Sequence, residues 1–167
     1  MKKIISILLI LSMVCIFPAC GEEDLPIPDV VTYYDNVSVV GLAVNAEEDL
    51  INPPEFVEIS NEVIGQVGGI RLDLCKTYIA KKAEDNRLDE YGIFHCNNAD
   101  MLETLRKSVE NYVNSRKNDD QTLSHYEDAA TVKGGKIAVY GNYVVYTFLP
   151  DNGNNLFTSC VESLLIE

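Results

Sequence analysis

Few residues in this sequence have the types and the spacing that metal chemistry requires. His95 and Cys96 are adjacent, while His125 lies thirty positions further along. A zinc site needs several such donors converging at roughly 2.0–2.3 Å, and neither Cys-x-x-Cys nor His-x-x-x-His spacing occurs. If residues 88–96 form a strand, His95 and Cys96 point to opposite faces of it. The sequence therefore predicts no metal site and no cofactor.

Nucleophilic catalysis is the second chemistry to consider. Cys96 or Cys160 could pair with His125, with Asp128 orienting the imidazole. Such a thiol must have its pKa lowered by a nearby cation, whereas acidic surroundings raise it. Gly-x-Ser-x-Gly is absent, and Ser124-His125-Tyr126 is typical of a polar loop. We predict no catalytic residues, which leaves enzymatic activity uncertain and favours a non-catalytic protein.

Two acidic runs, Glu47-Glu48-Asp49 and Asp119-Asp120, supply carboxylates that Ca²⁺ prefers. Neither run has the ligand spacing of a calcium-binding helix–loop–helix. We interpret both as solvated surface.

The first 21 residues have the pattern of an export signal. Lys2 and Lys3 precede an uncharged apolar run over residues 4–17, and small residues around Cys20 follow. A basic start, an apolar middle and a cleavage site of small residues, in this order, are typical of a secretory signal. The fourteen-residue run is shorter than the ~20 residues of a membrane-spanning helix.

Ala19-Cys20-Gly21 resembles the lipobox of bacterial lipoproteins, although Phe17 stands where that motif usually has Leu. The resemblance implies that Cys20 carries a diacylglyceryl group, with palmitate-type chains, after cleavage just before it. The alternative is a free thiol at a cleavage site. We predict a signal peptide at 1–19, an acidic tether at 20–29 and one domain at 30–167. The lipid on Cys20 would hold that domain to the cell membrane, facing outside.

The net charge of the chain limits the kinds of molecule that it can bind. The signal holds two of the 13 basic residues and none of the 26 acidic ones, so the chain from Cys20 onwards carries a formal net charge of −15. Such a surface repels phosphate backbones, which excludes nucleic-acid binding.

Beyond Cys20 only Cys75, Cys96 and Cys160 remain, so at most one disulfide forms within the chain. The alternative is that all three are buried as small apolar residues.

The first half of the domain contains one ambiguous segment and three clearer ones. Val and Tyr favour a strand over residues 30–44, but apolar residues at 30, 33, 34, 37, 40 and 44 fit one helical face, and we lean to a helix. A short helix over 61–67 should end at Gly68-Gly69. Strands are predicted over 74–82 and 88–96, with a polar turn between them.

The second half has stronger signals. An amphipathic helix should begin at Asn97 or Asn98 and continue to about residue 117. Residues 136–140 and 143–149 predict a hairpin, because Gly141 suits the first position of a type II′ turn and Gly141-Asn142 would pair Tyr140 with Tyr143. The nearly unbroken apolar second strand should be central in the sheet. A short helix over 156–165 closes the chain.

Nine tyrosines and no tryptophan are present. Tyrosine combines apolar area with a hydrogen-bonding tip, so Tyr140 and Tyr143, which flank the hairpin turn, are candidates for a surface that binds an envelope protein or a glycan. The alternative is cross-strand and core packing.

The order of several segments resembles a family of small lipoproteins from Gram-positive anaerobes that is catalogued as a domain of unknown function. The likeness covers roughly residues 70–165: the strand 89–94, the helix ending near Arg116, the polar segment with Tyr126 and the strand 141–145. Tyr91-Gly92 replaces the Ile-Ala of the family pattern, and the first third does not align. The resemblance implies a lipid-anchored envelope protein of α+β fold and supplies no catalytic residues.

Together these patterns predict one α+β domain, with an antiparallel sheet of about four strands and two or three helices packed mainly on one face. The predicted function is that of a membrane-anchored, non-catalytic interaction or binding module at the outer face of the cytoplasmic membrane. The alternative is an extracytoplasmic small-solute receptor or enzyme. The sequence leaves the oligomeric state open.

Overall fold

A computed structural model of the chain describes residues 31–150 and 152–166. The predicted signal at 1–19, the tether at 20–29 and the lipidation site Cys20 lie outside these residues. The elements below are numbered in chain order within the described part.

A five-stranded antiparallel sheet forms the middle layer of the domain. Its spatial order is β1-β2-β3-β5-β4, and every neighbouring pair is antiparallel. The strands are β1 Phe56–Glu58, β2 Cys75–Ala83, β3 Glu90–Cys96, β4 Lys136–Tyr140 and β5 Tyr143–Phe148. The two predicted strands before residue 97 and the predicted hairpin are thereby confirmed.

Three main helices pack on this sheet, and shorter turns connect the elements. The main helices are α1 Val39–Glu48, α2 Leu102–Lys117 and α5 Gly153–Leu165, and the shorter ones are α3 Asp120–Leu123 and α4 Ala129–Lys133. A π-helical turn at Glu62–Val67 is capped by Gly68, and Gly69 follows it with a φ of 77°. The positive φ explains the glycine that ends the predicted helix at this point.

The sheet is buried on both faces. Helix α2 covers one face, where Phe94, Tyr146 and Phe148 pack against Leu105 and Val109. Helices α1 and α5 cover the other, in a second cluster that includes Tyr91, Ile93, Val145, Leu42 and Phe157. The α+β prediction is confirmed: the sheet has five strands, and two of the three main helices share one face.

Strands β3 and β5 are buried at every residue, as expected of central strands covered on both sides. The hairpin register pairs Tyr140 with Tyr143 and Val139 with Val144, which confirms the prediction. Gly141 has a φ of 53°, while Asn142 keeps a negative one, the combination expected of a type II′ turn.

The ambiguous segment 30–44 is helical only in its second part. Helix α1 begins after Ser38, whose Oγ accepts a hydrogen bond from the Gly41 amide, and the residues before it run along the C-terminus of α5. The buried side of α1 consists of Val39, Leu42, Ala43 and Ala46. The predicted helical face was therefore wrong, since Val40 and Val44 are exposed. Both faces of this helix are apolar, so spacing alone favoured the wrong one.

Candidate functional site

Two clefts open at the end of the sheet where β2 turns back into β3. The wide cleft, about 470 Å³, lies between the β2–β3 turn (residues 84–88) and residues 116–126. The apolar pocket, about 320 Å³, lies between loop 50–54, Leu149-Pro150 and the first turn of α5. Arg87 and Asp89 line both cavities, so these two residues form the wall between them.

Asp89 is a buried carboxylate with little compensation. Its side chain is 3% exposed, and the nearest cation is Arg87, whose Nε lies 4.0 Å from Asp89 Oδ2. The Asp89 backbone amide hydrogen-bonds to its own carboxylate, while no other described residue donates a hydrogen bond to it. Burial raises the pKa of Asp89, and the charges of Asp128 and Asp85 add to that effect, while the Arg87 charge and the bond from the Asp89 amide oppose it.

Arg87 is turned away from Asp89 because it pairs with Asp85. Arg87 Nε lies 3.0 Å from Asp85 Oδ2, and Asp85 Oδ1 also accepts the Arg87 backbone amide at 3.0 Å. Asp128 is committed as well, since its Oδ2 accepts a 2.8 Å hydrogen bond from the Leu88 amide. Asp89 is therefore a buried carboxylate of this turn region to which no other described residue donates a hydrogen bond.

A buried ionic network forms the floor of the wide cleft. Glu90 Oε1 accepts hydrogen bonds from the hydroxyls of Tyr112 and Tyr146, the latter at 2.8 Å, and Glu90 Oε2 lies 3.3 Å from Arg116 Nη1. Burial and the charge of Glu90 raise the pKa values of both tyrosines. Both Glu90 oxygens are engaged, so this carboxylate is built to hold α2 on the sheet rather than to accept a proton from a substrate.

The two tyrosines predicted to form an interaction surface have different surroundings. Tyr143 is fully buried, and its hydroxyl bonds to the backbone of Val37. It cannot belong to an interaction surface, because β5 is central and helices cover both of its faces. Tyr140 is half-buried and packs near Tyr33, with ring centroids 6.0 Å apart; its role stays a prediction.

The residues considered for metal or cysteine chemistry do not converge. His95 is buried, stacks on Tyr143 and lies with Nε2 2.9 Å from Asp35 Oδ1. Cys96 packs on the α2 side of the sheet and donates to the Asn98 carbonyl. In residues 31–150 and 152–166, no three His, Cys, Asp or Glu side chains are arranged to hold a metal ion.

The three described cysteines are free thiols. Burial raises the pKa of Cys75 to about 12, with the neighbouring Cys96 and Asp73 contributing. Burial, a hydrogen bond to Asp49 and the Asp49 charge raise the pKa of Cys160 to about 11. Both values favour the unreactive thiol over the nucleophilic thiolate.

Sequence reasoning did not single out Asp89 or Arg87 as site residues. Asp89 appeared only within the predicted strand 88–96, as the first residue of the segment 89–94. One local signal was available: an acidic residue directly before a strand of consecutively buried residues is at risk of burial itself. The rest of its environment comes from loop 50–54 and α5, which are distant in sequence.

No helix within the described residues is both long enough and apolar enough to cross a bilayer. Comparisons with protein-family models, curated proteins and solved structures gave no match to this chain. The resemblance to the lipoprotein family of unknown function therefore stays a prediction.

Proposed function

We propose that this chain is a lipid-anchored, non-catalytic binding protein at the outer face of the cytoplasmic membrane, and that the apolar pocket beside Asp89 holds a small solute. This is the small-solute receptor that the sequence left as an alternative. The observation that carries it is a cavity of about 320 Å³, lined by hydrocarbon from three segments, with the buried Asp89 carboxylate and the neighbouring Arg87 in its wall. Small-molecule sites are concave, mostly apolar and furnished with a few polar groups that orient the ligand.

The same site gives little support to catalysis. Asp89 is one perturbed acid without a second titratable group in hydrogen-bond contact, and the Glu90 oxygens are already bonded. Acid–base or covalent catalysis needs a matched pair of groups within hydrogen-bond reach. Binding without turnover is the simpler use of this arrangement.

The anchor part of the proposal rests on the sequence. A basic head, an apolar run and Ala19-Cys20-Gly21 favour export and lipidation. One acyl chain gives only marginal membrane binding, so the two chains of a diacylglyceryl group would be needed for stable attachment. Membership in the lipoprotein family of unknown function would agree with this arrangement.

Anchoring is tested by metabolic labelling with an alkyne-bearing palmitate in the producing cells, followed by membrane fractionation. Wild type should be labelled and sediment with membranes, whereas Cys20→Ala should be unlabelled. Cys160→Ala, which removes a partly exposed cysteine of α5, is the matched control and should label as wild type does. Equal labelling of the Cys20→Ala protein would contradict the anchor.

Solute binding is tested by thermal-shift screening of a metabolite library against the soluble domain (residues 30–167). A true ligand should raise the Tm of wild type and fail to raise that of Leu156→Trp, because Leu156 lines the pocket and the larger ring fills it. Leu164→Trp is the control, since Leu164 is an exposed leucine of the same helix outside the pocket. A library without hits, or hits that bind Leu156→Trp equally, would count against a solute receptor.

A further inference from the structure

The apolar pocket combines hydrocarbon walls with a buried carboxylate, and this combination restricts the class of ligand that it can bind. Its walls include Leu50, Ile51, Pro53, Leu149 and Leu156, which present hydrocarbon from three separate segments. The polar side chains of the lining are Asn52, Arg87, Asn152 and Asp89, and of these only Asp89 is buried, with its side chain 3% exposed. A ligand of the pocket must therefore combine an apolar body with a group that satisfies this carboxylate.

The Asp89 carboxylate has room for a further donor that no other described residue supplies. A carboxylate in a low-dielectric site is costly unless it is hydrogen-bonded or paired. Here the nearest cationic atom, Arg87 Nε, is 4.0 Å away and bonded to Asp85. The unmet need is for N–H or O–H donors, and a cationic donor meets it best because charge-assisted hydrogen bonds are about twice as strong as neutral ones.

A second Arg-x-Asp sequence in the same chain shows that this arrangement is not forced by spacing. Arg71 and Asp73 have the same separation as Arg87 and Asp89, yet they form a bidentate pair with distances of 2.8 and 2.7 Å. That pair is exposed, with Asp73 61% accessible. The same spacing can therefore give direct hydrogen bonds between the two side chains, whereas Arg87 and Asp89 stay 4.0 Å apart.

Other ligand classes fit this pocket less well. An anion would face the buried Asp89 charge, which Arg87 at 4.0 Å balances only in part because it also pairs with Asp85, and the net charge of −15 beyond residue 19 repels anions further. A metal ion needs more protein donors than Asp89 alone, and the described residues offer no cluster of three. A neutral apolar molecule would leave the carboxylate unpaired.

We infer that the solute is an organic ammonium ion with a compact apolar body, whose N–H groups bond to Asp89 while its hydrocarbon part packs against Leu50, Ile51 and Leu156. This inference rests on the proposed function and adds the ligand class to it. A bound ammonium would stabilise the ionised form of Asp89 and so oppose the effect of burial, which raises its pKa in the free protein.

The test compares three probes of one shape by isothermal titration calorimetry at pH 7.5: 3-methylbutylamine, 3-methylbutan-1-ol and 3-methylbutanoate. Wild-type protein should bind the amine at least about tenfold more tightly than the alcohol, and should not bind the carboxylate. Hydrogen bonds to charged groups contribute roughly 1.5–3 kcal/mol, which corresponds to about a ten- to hundredfold change in Kd. These three measurements need no mutant and do not depend on a variant that folds.

Asp89→Asn should reduce the preference for the amine over the alcohol to within about threefold, since the amide lacks the charge that distinguishes the probes. Asp73→Asn is the matched control: it removes an aspartate from the same Arg-x-Asp spacing at an exposed site, and it should bind the amine as wild type does. Circular dichroism establishes that both variants are folded.

Two results would overturn the inference and leave solute binding intact: the alcohol or the carboxylate binding as tightly as the amine, or Asp89→Asn retaining the wild-type preference. Failure of all three probes would also overturn it. The library screen then decides separately whether the pocket binds any other solute.

Discussion

The Tyr143 hydroxyl forms two hydrogen bonds with the backbone of Val37, donating to its carbonyl at 2.9 Å and accepting from its amide at 3.1 Å. These residues are 106 positions apart, and Tyr143 is the first residue of the central strand β5. The pair fixes the segment that leads into α1 against the sheet. A tyrosine that the sequence suggested for binding is thus a structural residue.

Tyr143→Phe should destabilise the domain by about 1–3 kcal/mol, because the Val37 amide and carbonyl each lose a partner in a partly buried site. Urea unfolding measures this as a lower midpoint with an unchanged slope. Tyr34→Phe is the control, since Tyr34 is half exposed and should lose little. Equal midpoints for Tyr143→Phe and wild type would contradict the structural role.

Glu90→Gln should cost roughly 1.5–3 kcal/mol, because the buried Glu90 loses its charge while Arg116, which is 37% exposed, regains part of its solvation. The hydroxyls of Tyr112 and Tyr146 also lose a charged acceptor. Glu110→Gln breaks another Glu–Arg pair, with Arg106, but at an exposed position of α2.

The Glu110 pair should contribute no more than about 1 kcal/mol. Because both glutamates contact an arginine, the difference between the two variants in free energy of unfolding reports the effect of burial and not that of the ion pair. Similar losses for the two variants in urea unfolding would mean that the Glu90 network is not desolvated.

Asp89→Asn should raise stability at pH 7, in contrast to the two changes above. The pKa of Asp89 is higher in the folded than in the unfolded protein, so the folded state retains this proton more strongly. The stabilisation from that proton is full below the unfolded pKa of about 4 and is lost as the pH rises through the folded pKa. The amide keeps a neutral group at every pH.

The gain in stability for Asp89→Asn should therefore shrink as the pH is lowered from 7 towards 4. Asp73→Asn should show the opposite sign, because pairing with Arg71 lowers the pKa of Asp73. Tm measured by differential scanning calorimetry across this range checks both directions. A loss of stability for Asp89→Asn at pH 7 would show that the carboxylate has a donor after all.

Thr147→Val should stabilise the domain by about 1 kcal/mol. Thr147 is fully buried in β5, and its Oγ1 is the buried side-chain oxygen that finds no hydrogen-bond partner among the described residues. Replacing an unsatisfied hydroxyl with a methyl group of similar volume removes a desolvation penalty. Chemical denaturation measures the change in unfolding midpoint. Thr122→Val, a change at an exposed threonine, is the control. A lower midpoint for Thr147→Val than for wild type would indicate that Oγ1 has a hydrogen-bond partner.

The free thiols should be slow to alkylate at neutral pH. With pKa values of about 11 for Cys160 and about 12 for Cys75, the thiolate fraction at pH 8 is very small. Iodoacetamide labelling followed by peptide mass spectrometry should show Cys160 reacting before Cys75, with both rates rising steeply as the pH increases. Fast labelling of Cys75 at pH 7 would contradict its burial.

Local patterns in the sequence were sufficient to locate most elements. The hairpin and its register followed from Gly141-Asn142, because only a residue that tolerates a positive φ fits the first turn position. The helix α2 followed from its apolar spacing, although it begins at Leu102; Asn98, the predicted cap, instead caps the 3₁₀ turn Ala99–Met101 before it, where its side chain accepts a hydrogen bond from the Asp100 amide. In each case the determining interactions lie within a few residues.

Other features depended on contacts between distant segments. The buried face of α1 was set by α5, β2 and β3, which is why Val40 and Val44 are exposed despite their spacing. The surroundings of Asp89 were likewise set by loop 50–54 and the start of α5. Neither could be deduced from the neighbours along the chain.

The sequence by itself determined the antiparallel α+β class, the acidic charge, and the strands that precede and follow α2 in the chain. These features depend on composition and on short-range periodicity. The tertiary structure alone decided that Tyr143 is internal and that Asp89 is a buried carboxylate beside an apolar pocket. Burial is the reason for this division: it arises when segments far apart in the chain exclude water from the same place.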